Sequence, residues 1–269
     1  MIPLLVLDLD GTVIGSDGDV RQCVWDAVER AQAAGVKLAA CTGRPDAGVA
    51  HRVAARLGPR NAHVFQSGAL ISDPSGNTLH VAALREAAVL QLVEHARELG
   101  FALELYTPTH LYVERRTPIT EAHARMIGVT ALVRDLREVG RIEPVIRGQW
   151  VVNHQERALV EEIVLSGAQI SSATSPALPD TAFVSVTRSG VSKGSAVKLL
   201  AETLQVDLKD VMAVGDSEGD LPMLEAVGRP MVMADAPESL RDSYPTLARG
   251  ADDCGVVEAL ELAISARSA

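Results

Sequence analysis

The stretch Pro3-Leu4-Leu5-Val6-Leu7-Asp8-Leu9-Asp10-Gly11-Thr12 runs an apolar segment straight into two carboxylates one residue apart, after which Gly11 and Thr12 turn the chain. Four consecutive apolar residues suit a strand buried on both faces, as in a parallel sheet. Open α/β sheets bind ligands outside the carboxyl ends of their strands, and that is where Asp8 and Asp10 stand. Two carboxylates so close repel one another unless a cation or a proton joins them. The stretch therefore predicts a metal site, or one acid held protonated, at the end of the first strand.

Outward from it, strands and helices alternate. Val20 to Ala34 has Val24, Ala27, Val28 and Ala31 on one helical face and stops at Gly35. Val36 to Cys41 reads as a second strand, ending at Thr42-Gly43-Arg44-Pro45. Pro45 suits the first turn of a helix running through Leu57, and His63-Val64-Phe65 follows as a third strand. From about Leu70 the pattern changes: Asp73-Pro74-Ser75-Gly76-Asn77 reads as a hairpin turn. A helix from Arg85 to Leu99, strand-like runs at 101–106, 111–113 and 182–186, a helix from Glu156 to Leu165 and a Ser/Thr/Pro loop at 171–176 read as a separate α+β unit. The alternation returns at Gly190, where Ser192 can cap a helix from Lys193 to Leu204. A strand at Val211–Val214, a helix at Leu221–Val227, a strand at Pro230–Met233 and a closing helix at Val256–Ala266 complete it. The pattern predicts an α/β fold whose parallel-sheet core is interrupted by an insert.

Composition limits the alternatives. A chain of 269 residues holds one large domain or two modest ones, and 47% hydrophobic residues supports a real core. The net charge of −10 argues against nucleic acid as the main partner. Cys23, Cys41 and Cys254 are widely spaced, which suggests neither a zinc site nor a disulfide framework and points to a reducing cytoplasm. The N-terminal residues suggest neither a signal peptide nor a membrane span, and no repeat or low-complexity tract stands out.

Four constellations carry chemistry. Asp8 and Asp10 could be solvated acids or a calcium loop, but an EF-hand needs a preceding helix and a later glycine. Thr42-Gly43-Arg44 offers a hydroxyl and N–H groups to an anion, or is a plain strand-to-helix turn. Lys193 opens a helix, where the dipole disfavours a cation, which hints at a nearby anion; otherwise it is a solvated lysine. Gly215-Asp216-Ser217-Glu218-Gly219-Asp220 places three acids at another strand end, or is a plain charged loop; a second acidic strand end in one sheet favours a shared cation site more than either motif does alone. The histidines are scattered without ligand spacing.

These four stretches, in this order, resemble the haloacid dehalogenase superfamily. The second motif followed by Arg-Pro, and a large insert before the lysine, look like its Cof-type branch, subclass IIB. The resemblance implies a Rossmann-like core at residues 1–82 and 189–269 with an inserted α+β cap domain (C2B-type) at 83–188. It implies a cytoplasmic, Mg²⁺-dependent phosphatase that works through an aspartyl-phosphate. Asp8 would be the nucleophile and Asp10 the general acid and base. Asp8, the Asp10 carbonyl and Asp216 would hold Mg²⁺. Thr42, Gly43 and Lys193 would bind phosphate, with Asp220 and Arg44 in support.

The cap would cover the site and choose the substrate, a small phosphorylated metabolite, with sugar phosphates foremost. No membrane partner is implied, and no oligomeric state is assigned. One departure stands out: Gly219 replaces the asparagine usual before the last aspartate. Two other readings compete. A phosphomutase on the same fold would isomerise without net release of phosphate. A receiver-like sensing module also gathers acids, a Thr and a Lys at strand ends, but is much shorter.

Overall fold

The computed structural model describes residues 2–175 and 178–268. The chain begins with β1 (Leu4–Leu7), α1 (Gln22–Ala33), β2 (Lys37–Ala40), α2 (Gly48–Leu57), β3 (His63–Phe65), β4 (Leu70–Ser72) and β5 (Thr78–Val81). It continues through α3 (Glu86–Leu99), β6 (Ala102–Tyr106), β7 (Leu111–Val113), α4 (Pro118–Ile127), β8 (Ala131–Val133) and α5 (Leu136–Ile142). Next come β9 (Arg147–Asn153), α6 (Arg157–Glu161), β10 (Ala168–Ser175) and β11 (Leu178–Arg188). It ends with α7 (Lys193–Thr203), β12 (Val211–Gly215), α8 (Leu221–Leu224), β13 (Arg229–Val232), α9 (Glu238–Arg241) and α10 (Val256–Ser268).

Two units emerge from the contacts. The first takes the chain up to Gly43, Ala50–Leu79 and everything from Ser192; the second takes Arg44–Val49 and His80–Val191. In the first, four parallel strands lie in the order β13-β12-β1-β2, and β3-β4-β5 form a smaller sheet. All four residues of β1 are buried, as a strand covered on both faces requires. Leu4 and Val6 pack with Ala196, Val197 and Leu200 of α7 and with Met223 and Leu224 of α8. On the register, Leu7 is level with Ala40 of β2 and Val214 of β12, so three strands end together.

Near β2, the Ala40 N–H donates to His63 Nδ1 at 3.0 Å, while His63 Nε2 lies 3.0 Å from the Gly58 carbonyl. An accepting Nδ1 and a donating Nε2 make this a neutral, structural imidazole.

The second unit is a six-stranded sheet, β10-β11-β9-β6-β7-β8, antiparallel except for β7 with β8. One face carries Leu103, Leu105, Trp150 and Val184 against Val89, Leu92 and Val93 of α3 and Leu136 and Val139 of α5. The alternate residues form a buried polar network. Glu104 accepts from Tyr106 Oη at 2.8 Å and Gln149 Nε2 at 3.1 Å, and pairs with His123 of α4 at 2.8 Å.

Several expectations need correction. Residues 168–175, including the expected Ser/Thr/Pro loop, are strand β10, whose backbone bonds to β11; Pro176 lies outside the described residues. Local composition missed it because the pairing partner supplies the backbone hydrogen bonds. The helix expected from Pro45 begins at Gly48, after a turn in which Ala47 N–H donates to the Pro45 carbonyl. The helices expected at Glu156–Leu165 and Leu221–Val227 are shorter, at Arg157–Glu161 and Leu221–Leu224. Elements α4, β8, α5 and β9 were not anticipated, although Thr117-Pro118-Ile119-Thr120 opens α4 with a capping box. Finally, Cys23 and Cys254 form a disulfide across 231 residues, with Cα atoms 6.4 Å apart. Spacing along the chain hides this pairing, because α1 and the turn before α10 meet only in the fold. The cysteines therefore say nothing of a reducing compartment. Among the described residues, no helix is long and apolar enough to cross a membrane.

Candidate active site

The carboxyl ends of β1, β2 and β12 assemble the site. Asp8 follows β1 and is buried, its N–H continuing the ladder to the Val214 carbonyl at 3.0 Å. The chain then folds back tightly: Ile14 N–H donates to Leu9 O at 2.8 Å and Gly11 N–H to Ile14 O at 3.0 Å. Gly11 has φ +77°, and a Cβ there would run into the Asp216 carboxylate. Only glycine meets both conditions cheaply. Thr12 Oγ1 donates to Asp216 Oδ1 at 3.1 Å, tying the first motif to the fourth. Asp10 is exposed at the turn.

Lys193 is the first residue of α7, and Ser192 and Ser195 form a capping box around its start. The side chain is buried, and Nζ donates to Asp8 Oδ1 and to Asp220 Oδ1, both at 2.6 Å. Asp220 is fully buried, and its Oδ2 accepts from Asp216 N, Ser217 N and Ser217 Oγ at 3.0–3.1 Å. Sequence reasoning placed Asp220 as a support, and these four donors are the physical content of that role. Gly194 lies so close to Pro222 that any side chain there would strike its carbonyl. Thr42 is buried just beyond β2, its N–H on the Val64 carbonyl at 2.9 Å. Gly43 follows within the first unit, whereas half-buried Arg44 opens the Arg44–Val49 segment that belongs with the second.

The electrostatics identify what the cluster lacks. Asp8, Asp216 and Asp220 each offer a carboxylate oxygen, all within 4.8 Å of one another. Against them stands one ammonium, so two negative charges are uncompensated when all are ionised. Burial raises the Asp8 pKa well above the ordinary carboxylate value; Asp220 and Asp216 add to the rise, and Lys193 opposes it. Asp216 is pushed up to about 6, by burial first and Asp220 second, with Thr12 opposing. Burial works against the charge on Lys193, yet Asp8 and Asp220 overcome it and raise its pKa. The neighbouring Cys41 thiol is pushed up by burial, with Lys193 opposing, which keeps it protonated and inert.

An all-carboxylate set with two excess charges fits a hard divalent cation and not a thiophilic one. The sequence reading chose Asp8, the Asp10 backbone carbonyl and Asp216 as the metal set. The carboxylates that converge among the described residues are Asp8, Asp216 and Asp220, so Asp220 joins the two acids expected there. Asp220 spends both oxygens on protein donors, which leaves Asp8 and Asp216 as the better ligands.

The family described as haloacid dehalogenase-like hydrolase matches residues 5–260. A Streptococcus pyogenes protein named as a phosphatase, M6_Spy0533, is 28% identical over 265 residues, covering 96% of this chain and 97% of the relative. BT1666, a Bacteroides thetaiotaomicron phosphatase of the haloalkanoate enzyme superfamily, superposes with a TM-score of 0.81 at 26% identity, covering 98% and 95% of the two chains. The subclass IIB sugar phosphatase BT4131 shares the fold, with a TM-score of 0.78 at 18% identity over 96% of this chain and 97% of that one.

Proposed function

Because this chain belongs to the haloacid dehalogenase-like hydrolases and is a phosphatase of that family, we propose that it hydrolyses a small phosphorylated metabolite, a sugar phosphate foremost, with Mg²⁺ as cofactor and through an aspartyl-phosphate. The observation that carries this reading is the Asp8 carboxylate. Lys193 holds its Oδ1 at 2.6 Å, it stands beside two further acids, and Asp10 lies two residues on in solvent. Lys193 clamps the nucleophile in one orientation while engaging only one of its oxygens.

Asp8 attacks phosphorus, and the bond from phosphorus to the ester oxygen breaks. Asp10 gives its proton to the departing oxygen. It later removes one from the water that attacks the aspartyl-phosphate and frees inorganic phosphate. Thr42, the Gly43 backbone and Lys193 neutralise the phosphoryl oxygens. Asp220 positions Lys193 and the 216–217 turn. Asp8 and Asp216, with the Asp10 carbonyl, would hold Mg²⁺, whose bound charge offsets the acid cluster and polarises the phosphoryl group.

The receiver-like reading does not survive: the hydrolase family spans nearly the whole chain, including the large insert. The test is release of inorganic phosphate from a panel of phosphomonoesters with Mg²⁺, with excess chelator, and in Asp8→Asn. Phosphate release that needs both the cation and Asp8 is expected. Isomerisation of a sugar phosphate without net release would identify a mutase instead.

A further inference from the structure

Between β3 and β4 the chain passes through Gln66-Ser67-Gly68, three successive residues with positive φ: +52°, +54° and +106°. Two of them carry side chains, and the left-handed region costs such residues roughly 1–2 kcal/mol each. A second cost falls on the same turn. Gln66 is 1% exposed, and its Oε1 is buried with no hydrogen-bond partner among the described residues. Strain and an unsatisfied buried amide in three residues call for an explanation beyond packing.

The turn's surroundings supply one. Ser67 N–H donates to the Thr42 carbonyl at 3.0 Å. Gly68 lies against Ser192, the residue that caps α7 just before Lys193, with no room for a Cβ. A Cβ built on Gly43 would lie 3.3 Å from Ser67 Oγ, so this hydroxyl looks directly onto the backbone of the phosphate-binding loop. The left-handed conformation is what aims it there. Burial orders the groups in depth: Thr42 is 1% exposed, whereas Ser67 is exposed. A phosphomonoester held at Thr42 and Gly43 has its phosphoryl group on the buried side and its ester substituent on the solvent side.

We propose that Ser67 is a specificity-determining residue whose hydroxyl hydrogen-bonds the leaving group of the substrate, which selects a hydroxylated, polyol-type substituent. This rests on the phosphatase reading above. A hydroxyl both donates and accepts, and it complements a vicinal or terminal alcohol better than an apolar aryl group does. The backbone of the turn is a spacer between the Thr42 loop and the start of α7, and Ser67 is its functional tip.

The test compares wild type, Ser67→Gly, Ser67→Ala and Asp8→Asn. Substrates are p-nitrophenyl phosphate and a panel of glycerol, tetrose, pentose and hexose phosphates, with Mg²⁺ present, and melting temperatures are measured in parallel. In both Ser67 variants the ratio of kcat/KM for the best polyol phosphate to that for p-nitrophenyl phosphate is expected to fall about three- to tenfold, the value of one neutral hydrogen bond, mostly through KM. Ser67→Gly should also melt about 2–8 °C higher, because it removes the left-handed penalty, while Ser67→Ala should not. A purely structural serine would give the rise in melting temperature and leave the ratio unmoved, and that result overturns the proposal. Hydrolysis of p-nitrophenyl phosphate without any polyol phosphate also overturns it and leaves the phosphatase reading standing. A wild type as inert as Asp8→Asn toward every ester overturns both.

Discussion

Replacing Lys193 with methionine tests the electrostatic account of the site without relying on turnover. The ammonium is 7% exposed and bridges Asp8 and Asp220 at 2.6 Å each. Methionine keeps most of the volume and removes the charge. Three acids then share a buried site with no cation. Breaking a buried ion pair by removing one partner costs about 3–5 kcal/mol. At about 2–4 °C per kcal/mol for a domain of this size, the metal-free variant should melt roughly 6–20 °C below wild type at pH 8.

The loss should depend on pH. The folded pKa of Asp8 already lies above its unfolded value, mainly through burial, and Lys193 is what opposes the rise. Without Lys193 it climbs further, so the folded variant binds a proton that the unfolded chain has released. Stability is then present at low pH and drains away as pH rises through that folded value. The gap to wild type should therefore be narrower at pH 5.5 than at pH 8, and Mg²⁺ should close part of it at pH 8. Thermal unfolding at the two pH values, with and without Mg²⁺, measures this. A loss that is equal at both pH values, or no loss at all, would refute the charge argument and reduce Lys193 to a packing residue.

Four further outcomes are expected. Asp8→Asn should abolish phosphoenzyme formation. Asp10→Asn should show a nitrophenolate burst of up to one equivalent per site and then slow turnover, because general acid–base help is worth about 10²- to 10⁴-fold and nitrophenolate leaves without a proton; rapid quench that finds no phosphoenzyme would remove Asp10 from the shuttle. Gly219→Asn should lower KM several-fold for many substrates together, since a Cβ at Gly219 would meet only Ser217 Oγ at 3.5 Å and the backbone there is not left-handed; an unchanged KM would mean that this site holds phosphate well without the amide. Mg²⁺ affinity, followed by calorimetry, should fall about tenfold from pH 7 to pH 5, because a proton on Asp216, whose pKa is about 6, competes with the cation; a flat profile would exclude Asp216 as a ligand.

What was legible in the sequence, and what was not, divides along physical lines. The strand ends were legible because each apolar run is short, stops at a polar motif and alternates with helical stretches. Ser192 announced α7 because a cap acts within three residues. The Cys23–Cys254 bond was not legible, since nothing local to either cysteine encodes a partner 231 residues away. Strand β10 was missed for a similar reason: its Ser/Thr-rich composition reads as loop until the ladder to β11 is known. In the site, Asp216 and Asp220 were visible as acids, but their division of labour was not. That Asp220 faces Lys193 with one oxygen and the 216–217 turn with the other depends on how that turn closes. Ser67 gave no signal at all, because a left-handed serine looks like any other in a sequence.

The first motif joins two acidic strand ends. Its glycine answers both the turn and the fourth motif: Gly11 has φ +77°, a side chain there would also displace the Asp216 carboxylate, and Thr12 next to it supplies the hydrogen bond that Asp216 accepts. One pair of residues thus brings an acid from β12 up to the acid that follows β1, against their mutual repulsion. Repulsion is tolerated only because the fold pays elsewhere, through a fully buried parallel strand whose apolar contacts hold both strand ends in place. Lys193 offsets part of the charge, and when all three acids are ionised two negative charges stay uncompensated, which the proposed divalent cation would offset. With its acids ionised the site is electrostatically incomplete, which suits the metal-dependent phosphoryl transfer proposed above and is what a merely stable fold would avoid.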